Sequence, residues 1–459
     1  MKENISTKIK LISILVILLL LAIKFNLFID TSNYLYANQN PSNFGDNAKI
    51  KESFNKDGNN IELFTGNTMG TTYHIKVVMQ MDKSSGREGK SGGQEEGKNK
   101  TQITPSILHD LIKEKLKQVN QSMSVYIKDS EISLFNKSHK GESINISPEF
   151  HGVMVSAQKL YTMTKGAWDG TVKPLVDLWG FGTRDQKFTE PSSKIIKAYL
   201  QNTGFNQILI KNEVAKNIDS DKSSEIPNIG NKIFGTLEKK NDAITLDLGS
   251  IAKGFGVDAV AQLLKSQGYS NFLVEIGGEV FASGEKKEGN PWIVGISNPI
   301  KGENPYKSTK YDLDKEQSEI NQVYHALPLK NKALATSGDY RNFKIINGKT
   351  YSHIINPTTG YPVDNGVVSV SVIADNCTFA DGLATALMVM GHEKGVELVN
   401  TLENVECLIV VQEEKFDENN NVHGKNIVDR GSNDDAGNNV NQKKSIKFKD
   451  YRSRKFPLP

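Results

Sequence analysis

The sequence predicts an α+β protein: a single elaborated domain with mixed and antiparallel sheets and flanking helices. Three observations carry this. Strand-like and helical stretches mix without the strict alternation that a parallel sheet requires. Thr-Pro and Ser-Pro pairs open the helical stretches while glycines close them. Polar stretches interrupt the chain near 82–100, 217–231, 301–322 and 413–442, yet patterned segments continue on both sides of each, so they read as surface insertions rather than domain breaks. The expected organisation is a signal or anchor segment at 1–30, a polar linker at 31–60 and the folded domain at 61–459.

In chain order, Ile61–Phe64 and Thr72–Met79 form a hairpin around Met69-Gly70. Thr104-Pro105 starts a helix running to about Ser122, with Ile107, Leu108, Leu111, Leu116 and Val119 along one side. Ser147-Pro148 opens a second helix that ends near Gly166, and Pro191–Asn202 is a third. Ala243–Leu248 alternates like a strand, Ile251–Gln267 is helical with Gly268 as its stop, and Phe272–Ile276 is again a strand. Trp292–Ser297, Phe343–Ile346, Tyr351–Ile355 and Val367–Ala374 follow as strands. Thr378–Met390 and His392–Leu402 are helices, and Glu406–Val411 is a strand. The basic run Lys443–Lys455 alternates with Ile446 and Phe448 and reads as a solvated strand face.

With 37% hydrophobic and 24% charged residues, the 459-residue chain has the composition of a globular protein with a sizeable core. A net charge of +3 provides no global basic field, so nucleic acid is not an expected partner. Lys2, Lys8 and Lys10 precede the thirteen-residue run Leu11–Ile23, which Lys24 interrupts. That length suits the core of a secretory signal, and continuation through Phe25–Ile29 would instead give an uncleaved anchor. Leu35-Tyr36-Ala37 is a poor cleavage site, and the lysines place the N-terminus on the cytoplasmic side with the rest exported. No cysteine adjoins the apolar run, so a lipoprotein-type anchor is not expected; Cys377 and Cys407 sit in apolar surroundings and read as buried free thiols.

Four motifs carry chemistry. Leu246–Asp258, LDLGSIAKGFGVD, ends a strand in a glycine turn and opens a helix, offering free amides and Lys253 to an anion. Its spacing is neither a Walker loop nor a dinucleotide loop, and a plain strand-to-helix turn fits equally. In ADGLATAL, Asp381 and Thr385 stand one helical turn apart, either as oxygen ligands for Mg²⁺ or as a polar stripe. His353 lies in YSHIINPTTGYP among hydroxyls, with Thr336 and Ser337 upstream, while eight scattered histidines without HExxH argue against zinc. GAWDGTVKPLVDLWGFG places Trp168, Trp179 and Phe181 among glycines, forming either a platform for a flat heterocycle or a buried aromatic cluster.

Taken together, NTMGTTYHI, SVYIKDSEISLFN, GAWDGTVKPLVDLWGFG, LDLGSIAKGFGVD, FLVEIGGEVFASG, ALATSGDYRNF, YSHIINPTTGYPV and ADGLATALMVMG occur in the order found in the ApbE family, over about residues 61 to 412. The chain resembles a FAD:protein FMN transferase of that family. The resemblance implies an ApbE-like fold, FAD as substrate, Mg²⁺ as cofactor, and transfer of FMN to a threonine or serine hydroxyl of a partner flavoprotein carrying a D-G-x-[ST]-G-A-T type motif, with release of AMP. It implies Asp381 and Thr385 as side-chain metal ligands and Ser250 as the third, where the family uses a backbone carbonyl. Met69, Tyr126, Ala167, Trp168, Asp169, Asp247, Lys253 and Thr336 match positions that contact FAD. His353 matches the base that takes the acceptor's proton. Gly170 stands where proline is common and Glu279 where aspartate is common, and neither is expected to touch the chemistry. Hydrolysis of FAD to FMN and AMP, or flavin binding without turnover, are the competing readings. The expected location is the extracytoplasmic face of the cell membrane.

Overall fold

The computed structural model describes residues 49–54, 60–79, 103–182, 190–212, 235–286, 289–299, 323–339, 343–346, 349–414 and 446–457. All of them fall in one compact unit. The N-terminal apolar run and the insertions at 82–100, 217–231 and 301–322 lie outside the described residues, as does 413–442 beyond its first two positions.

The elements in order are β1 (Lys49–Phe54), β2 (Asn60–Thr68), β3 (Thr71–Met79), α1 (Pro105–Met123), α2 (Glu131–Lys137), β4 (Ile144–Ile146), α3 (Pro148–Met163), α4 (Lys173–Leu178) and α5 (Ser193–Leu200). Then come β5 (Ile208–Asn212), β6 (Gly235–Lys239), α6 (Gly249–Ser266), β7 (Phe272–Ile276), β8 (Glu279–Ser283), β9 (Trp292–Ser297) and β10 (Val323–Leu329). The last are β11 (Lys332–Gly338), β12 (Phe343–Ile346), β13 (Lys349–Ser352), β14 (Val367–Ala374), α7 (Cys377–Met390), α8 (His392–Val399), β15 (Glu406–Glu414) and β16 (Ile446–Arg452). Helix starts follow local chemistry. Thr104 accepts the Ile107 N–H at 3.4 Å with Pro105 in the first turn, Ser147 accepts the Phe150 N–H at 3.1 Å, and Asn376 accepts the Phe379 N–H at 2.9 Å.

A nine-stranded sheet runs β1-β2-β3-β7-β8-β11-β14-β15-β16. Among the described residues all strand pairings are antiparallel, so the α+β class holds and the sheets are not mixed. One face packs on α6 and α7 through Ile75, Val274, Ala335, Val370 and Ile409. The other is covered by the β9–β10 ribbon, whose Trp292, Val294 and Ile296 meet Leu334, Val368 and Leu408. Covered on both sides, β14 buries all eight of its residues. A three-stranded sheet, β4-β6-β5, stands apart.

Two sequence expectations fail for stated reasons. Ala243–Leu248 buries Ile244, Leu246 and Leu248 in alternation but is not a strand. The Asn136 side chain takes the place of a neighbouring strand, accepting the Leu246 N–H at 2.6 Å and donating to its carbonyl at 2.9 Å. The strand expected over Tyr351–Ile355 ends at Ser352, whose hydroxyl accepts the Ile354 N–H at 3.2 Å and turns the chain away.

A buried histidine in this core makes stability pH-dependent. His109 on α1 is 3% exposed, its Nε2 lies 2.9 Å from the Tyr73 hydroxyl and its ring packs on Phe64. Burial lowers its pKa and pushes the Tyr73 hydroxyl up to about 12. In the unfolded chain His109 takes up a proton near its ordinary pKa of ~6.5, which the folded chain resists. Below that pH the unfolded state therefore binds more protons and stability falls, while above it the contribution is constant. The melting temperature of wild type should drop between about pH 7.5 and about pH 5.5 by more than that of His109→Gln. Equal drops in thermal melts of the two proteins would refute the assignment.

Candidate active site

The site is built where α6 begins. The Asp247 N–H donates to the Gly170 carbonyl at 2.8 Å, and Asp247 Oδ1 accepts the Gly249 N–H at 2.9 Å, fixing the turn into the helix. Trp168 Nε1 donates to Ser250 Oγ at 3.0 Å, joining the GAWDG segment to the first turn of α6. That segment is itself held in place. The Trp168 N–H donates to Thr164 Oγ1 at 3.1 Å, and the Ala167 N–H donates to the Thr164 carbonyl at 3.1 Å. Asp169 is buried and accepts both the N–H (2.8 Å) and the hydroxyl (2.6 Å) of Thr171. Burial still holds its carboxyl above the usual range.

Helices α6 and α7 touch at Gly254. A Cβ there would lie 2.3 Å from the Cys377 carbonyl oxygen and 2.9 Å from Asp381 Cβ, so only glycine permits this approach. The Gly254 N–H donates to Asp381 Oδ2 at 3.0 Å. Asp258, one helical turn further along α6, ties down the start of α7 by accepting the Cys377 and Thr378 N–H groups, each at 2.8 Å, and the Thr378 hydroxyl.

Lys253 reaches out of the same turn. Its Nζ lies 3.7 Å from Asp381 Oδ1 and 3.4 Å from Glu279 Oε1, and its stem passes the backbone of Gly277, where φ is +62°. Among the described residues, two buried carboxylates thus share this ammonium, and Glu279 Oε2 is buried with no hydrogen-bond partner. Burial raises the pKa of both carboxyls. Burial opposes the charge on Lys253, but Asp381 and Glu279 outweigh it and hold the ammonium above its ordinary value. Thr385 projects one turn beyond Asp381, with Oγ1 3.0 Å from Ser337 Oγ and 3.4 Å from the Asp381 carbonyl. Thr336 faces Ser371 across β11 and β14, hydroxyl to hydroxyl at 2.8 Å.

The remaining sequence candidates are placed by other layers. Met69, at φ +48° in the β2–β3 turn, lays its methyl group against Gly256 on α6. His353 follows β13, half-buried and edge-on to Phe181 at 6.5 Å between ring centres. Phe181 in turn packs against a satellite cluster of Leu175, Trp179, Ile196, Tyr351 and Ile355, in which Trp179 Nε1 donates to the Gly360 carbonyl at 2.7 Å. Tyr126 is 79% exposed. Both tryptophans are buried, Trp168 against Phe205 and Trp179 against Tyr351, so neither presents an open ring face. The buried-cluster alternative holds for them, and of the aromatics that the sequence singles out for a pocket, half-buried Phe181 and exposed Tyr126 remain accessible.

A model of the ApbE family matches residues 69–409. The chain belongs to the ApbE family. It is 36% identical over 354 residues to the FAD:protein FMN transferase of Vibrio cholerae, covering 77% of this chain and 89% of that relative. The Haemophilus influenzae protein of the same name is 34% identical, with coverage of 77% and 87%. Among solved structures, the flavin transferase ApbE from Vibrio cholerae superposes with a TM-score of 0.61 at 32% identity, covering 89% of this chain and 98% of that one. The Pseudomonas stutzeri flavinyl transferase ApbE in its apo form gives 0.59 at 30% identity, with coverage of 78% and 94%.

Within this ApbE-family chain, the residue that sequence reasoning sets aside is Glu279. The sequence expectation keeps it clear of the chemistry, yet it pairs directly with Lys253. The available signal is an acid at the head of a strand, β8, that is buried throughout and follows Gly277-Gly278. Asn136 and Asp258 also escape sequence reasoning, although each lies in a motif that it singles out.

Proposed function

We propose that this chain splits the pyrophosphate of FAD and passes the FMN half to a threonine or serine hydroxyl of a partner flavoprotein, forming a phosphoester and releasing AMP. The observation that carries the reading is the Lys253–Asp381–Glu279 cluster, with Thr385 one turn away, at the start of α6. Asp381, Thr385 and Ser250 would hold Mg²⁺. The donor set suits a hard cation, because it is oxygen only, two buried carboxylates face a single ammonium, and a buried Glu279 oxygen has no hydrogen-bond partner. Among the described residues no group of three or more His, Cys, Asp or Glu is placed to hold a metal ion, so the proposed site rests on one carboxylate, Asp381, and two hydroxyl-bearing residues. When bound, Mg²⁺ supplies charge neutralisation on the pyrophosphate.

The chain's own residues do the rest. Lys253 binds the phosphates, because the Gly249, Ile251 and Ala252 N–H groups that open α6, expected from the sequence to be free, are taken by Asp247 Oδ1 and the Leu248 carbonyl. Asp247 and the Ala167–Asp169 segment brace that turn, and Met69, Tyr126 and Thr336 complete the flavin nucleotide site. His353 takes the proton from the acceptor hydroxyl, whose oxygen bonds to the FMN phosphorus as the bond to the AMP oxygen breaks. The acceptor carries a D-G-x-[ST]-G-A-T type segment. The N-terminal segment, as signal or anchor, places the enzyme on the extracytoplasmic face of the membrane. Among the described residues no helix is long and apolar enough to span it.

Incubating the protein with FAD, Mg²⁺ and an acceptor bearing that segment tests the reading. Flavin that stays on the acceptor through denaturation is the expected result. AMP and FMN with an unlabelled acceptor would make the chain a hydrolase, and unchanged bound FAD would make it a binding module. His353→Ala should slow transfer by about 10² to 10⁴ while FAD affinity stays within a few-fold. Loss of FAD binding in a folded His353→Ala protein would remove its role as base.

A further inference from the structure

Lys239, at the end of β6, is 1% exposed and takes no part in the chemistry above. Its ammonium donates to three main-chain carbonyls, those of Asn136 (3.2 Å), Ile244 (3.2 Å) and Asp242 (3.4 Å), and lies 5.6 Å from the centre of the Phe135 ring. Burial draws its pKa below the ordinary lysine value. A buried cation held by carbonyl oxygens costs desolvation that a surface lysine would not, so its location calls for a structural reason.

That reason lies in the segment between Lys239 and α6. Residues 243–248 cross the core without a strand partner, so their backbone groups must be satisfied otherwise. Lys239 takes the Ile244 carbonyl, the Asn136 side chain takes the N–H and C=O of Leu246, and the Gly170 carbonyl takes the Asp247 N–H. Lys239 and Asn136 are joined in turn, because the ammonium also donates to the Asn136 carbonyl. One residue beyond Asp247 and Leu248 the phosphate-binding turn begins. The two side chains therefore fix the last stretch of chain before that turn.

We infer that Lys239 and Asn136 are positioning residues for the turn that opens α6, with Lys239 serving as a built-in monovalent cation. This rests on the flavin-transfer reading for its catalytic consequence. Three carbonyl oxygens around one ammonium form a ligand set that a free ammonium or potassium ion also satisfies. Truncating the lysine to alanine should thus leave a vacancy that small cations refill.

The test uses full-length Lys239→Ala, assayed for flavin transfer at fixed ionic strength with choline, ammonium or methylammonium chloride. In choline, kcat/KM for FAD should fall on the order of a hundredfold, the scale of an ångström-sized displacement at a positioning segment. Ammonium or methylammonium should restore at least about tenfold of that. Hydrogen exchange supplies a readout independent of flavin chemistry: the amides of Leu246, Asp247 and Gly249 should exchange faster in the variant and slow again with ammonium. If wild type transfers no flavin, the functional reading fails while the exchange result still decides the positioning role. Wild-type activity and exchange in choline would overturn the inference, as would a loss that spreads across β6 and α6 and ignores ammonium. Should Lys239→Ala not fold, Asn136→Asp keeps the acceptor for the Leu246 N–H and removes the donor to its carbonyl. It should show the same local exchange and the same loss of kcat/KM without rescue by ammonium, and unchanged values would equally overturn the inference.

Discussion

Asp381→Asn is expected to lower flavin transfer by about a thousandfold, the scale of losing one charged element of a preorganised site, while leaving the fold intact. Asparagine keeps an oxygen to accept the Gly254 N–H, so the contact between α6 and α7 survives. The charge balance predicts little stability cost. Removing one partner of a buried ion pair destabilises a protein when it strands the other charge. Here Lys253 retains Glu279 at 3.4 Å, and the variant exchanges two carboxylates around one ammonium for a one-to-one pair. Unfolding free energy should therefore fall by no more than about 1 kcal/mol or should rise. A second readout is free of turnover. Mg²⁺ should raise the melting temperature of wild type by binding the native state, and Asp381→Asn should lose that increment. A folded variant that keeps both the Mg²⁺ increment and wild-type transfer would remove Asp381 from the metal site.

The parts of this site legible in the sequence are those set by short-range geometry. Asp381 and Thr385 share a face because a helix repeats every 3.6 residues, and that helix is announced by Asn376 and a run of small apolar residues. The turn into α6 is legible from Asp247 and Gly249 for the same reason. Glu279 is not legible, because its pairing with Lys253 joins a strand to a helix across a glycine turn that no local pattern encodes. The period-two spacing of Ile244, Leu246 and Leu248 does identify extended chain. The identity of its hydrogen-bond partner, an asparagine 110 residues upstream, is a tertiary fact. The tryptophans show the same limit from the other side. Aromatics beside glycines describe both a platform and a buried cluster, and only burial separates the two.

Gly254→Ala should be among the most damaging single-methyl changes in the molecule, because the atom it meets is backbone. The added Cβ would sit 2.3 Å from the Cys377 carbonyl oxygen and 2.7 Å from its carbon, and neither can rotate away as a side chain could. Asp258 grips the Cys377 and Thr378 amides, so the start of α7 cannot simply retreat. The helices must separate, at an overpacking cost of about 3 kcal/mol. Alanine's better helix propensity returns about 1 kcal/mol, leaving a net destabilisation of about 2 kcal/mol. The same displacement moves Asp381 relative to Lys253 and should reduce transfer on the order of a hundredfold even in the fraction that remains folded. Gly152→Ala is the matched control, since that glycine is exposed on α3 and a Cβ there would meet nothing within 4 Å. It should gain up to about 1 kcal/mol from propensity alone and leave transfer unchanged. Denaturant melts and transfer rates of the two variants, read side by side, separate close helix approach from a general sensitivity to alanine. Equal stability of Gly254→Ala and Gly152→Ala would show that α6 and α7 are free to move apart, and that the carboxylate cluster does not depend on their contact.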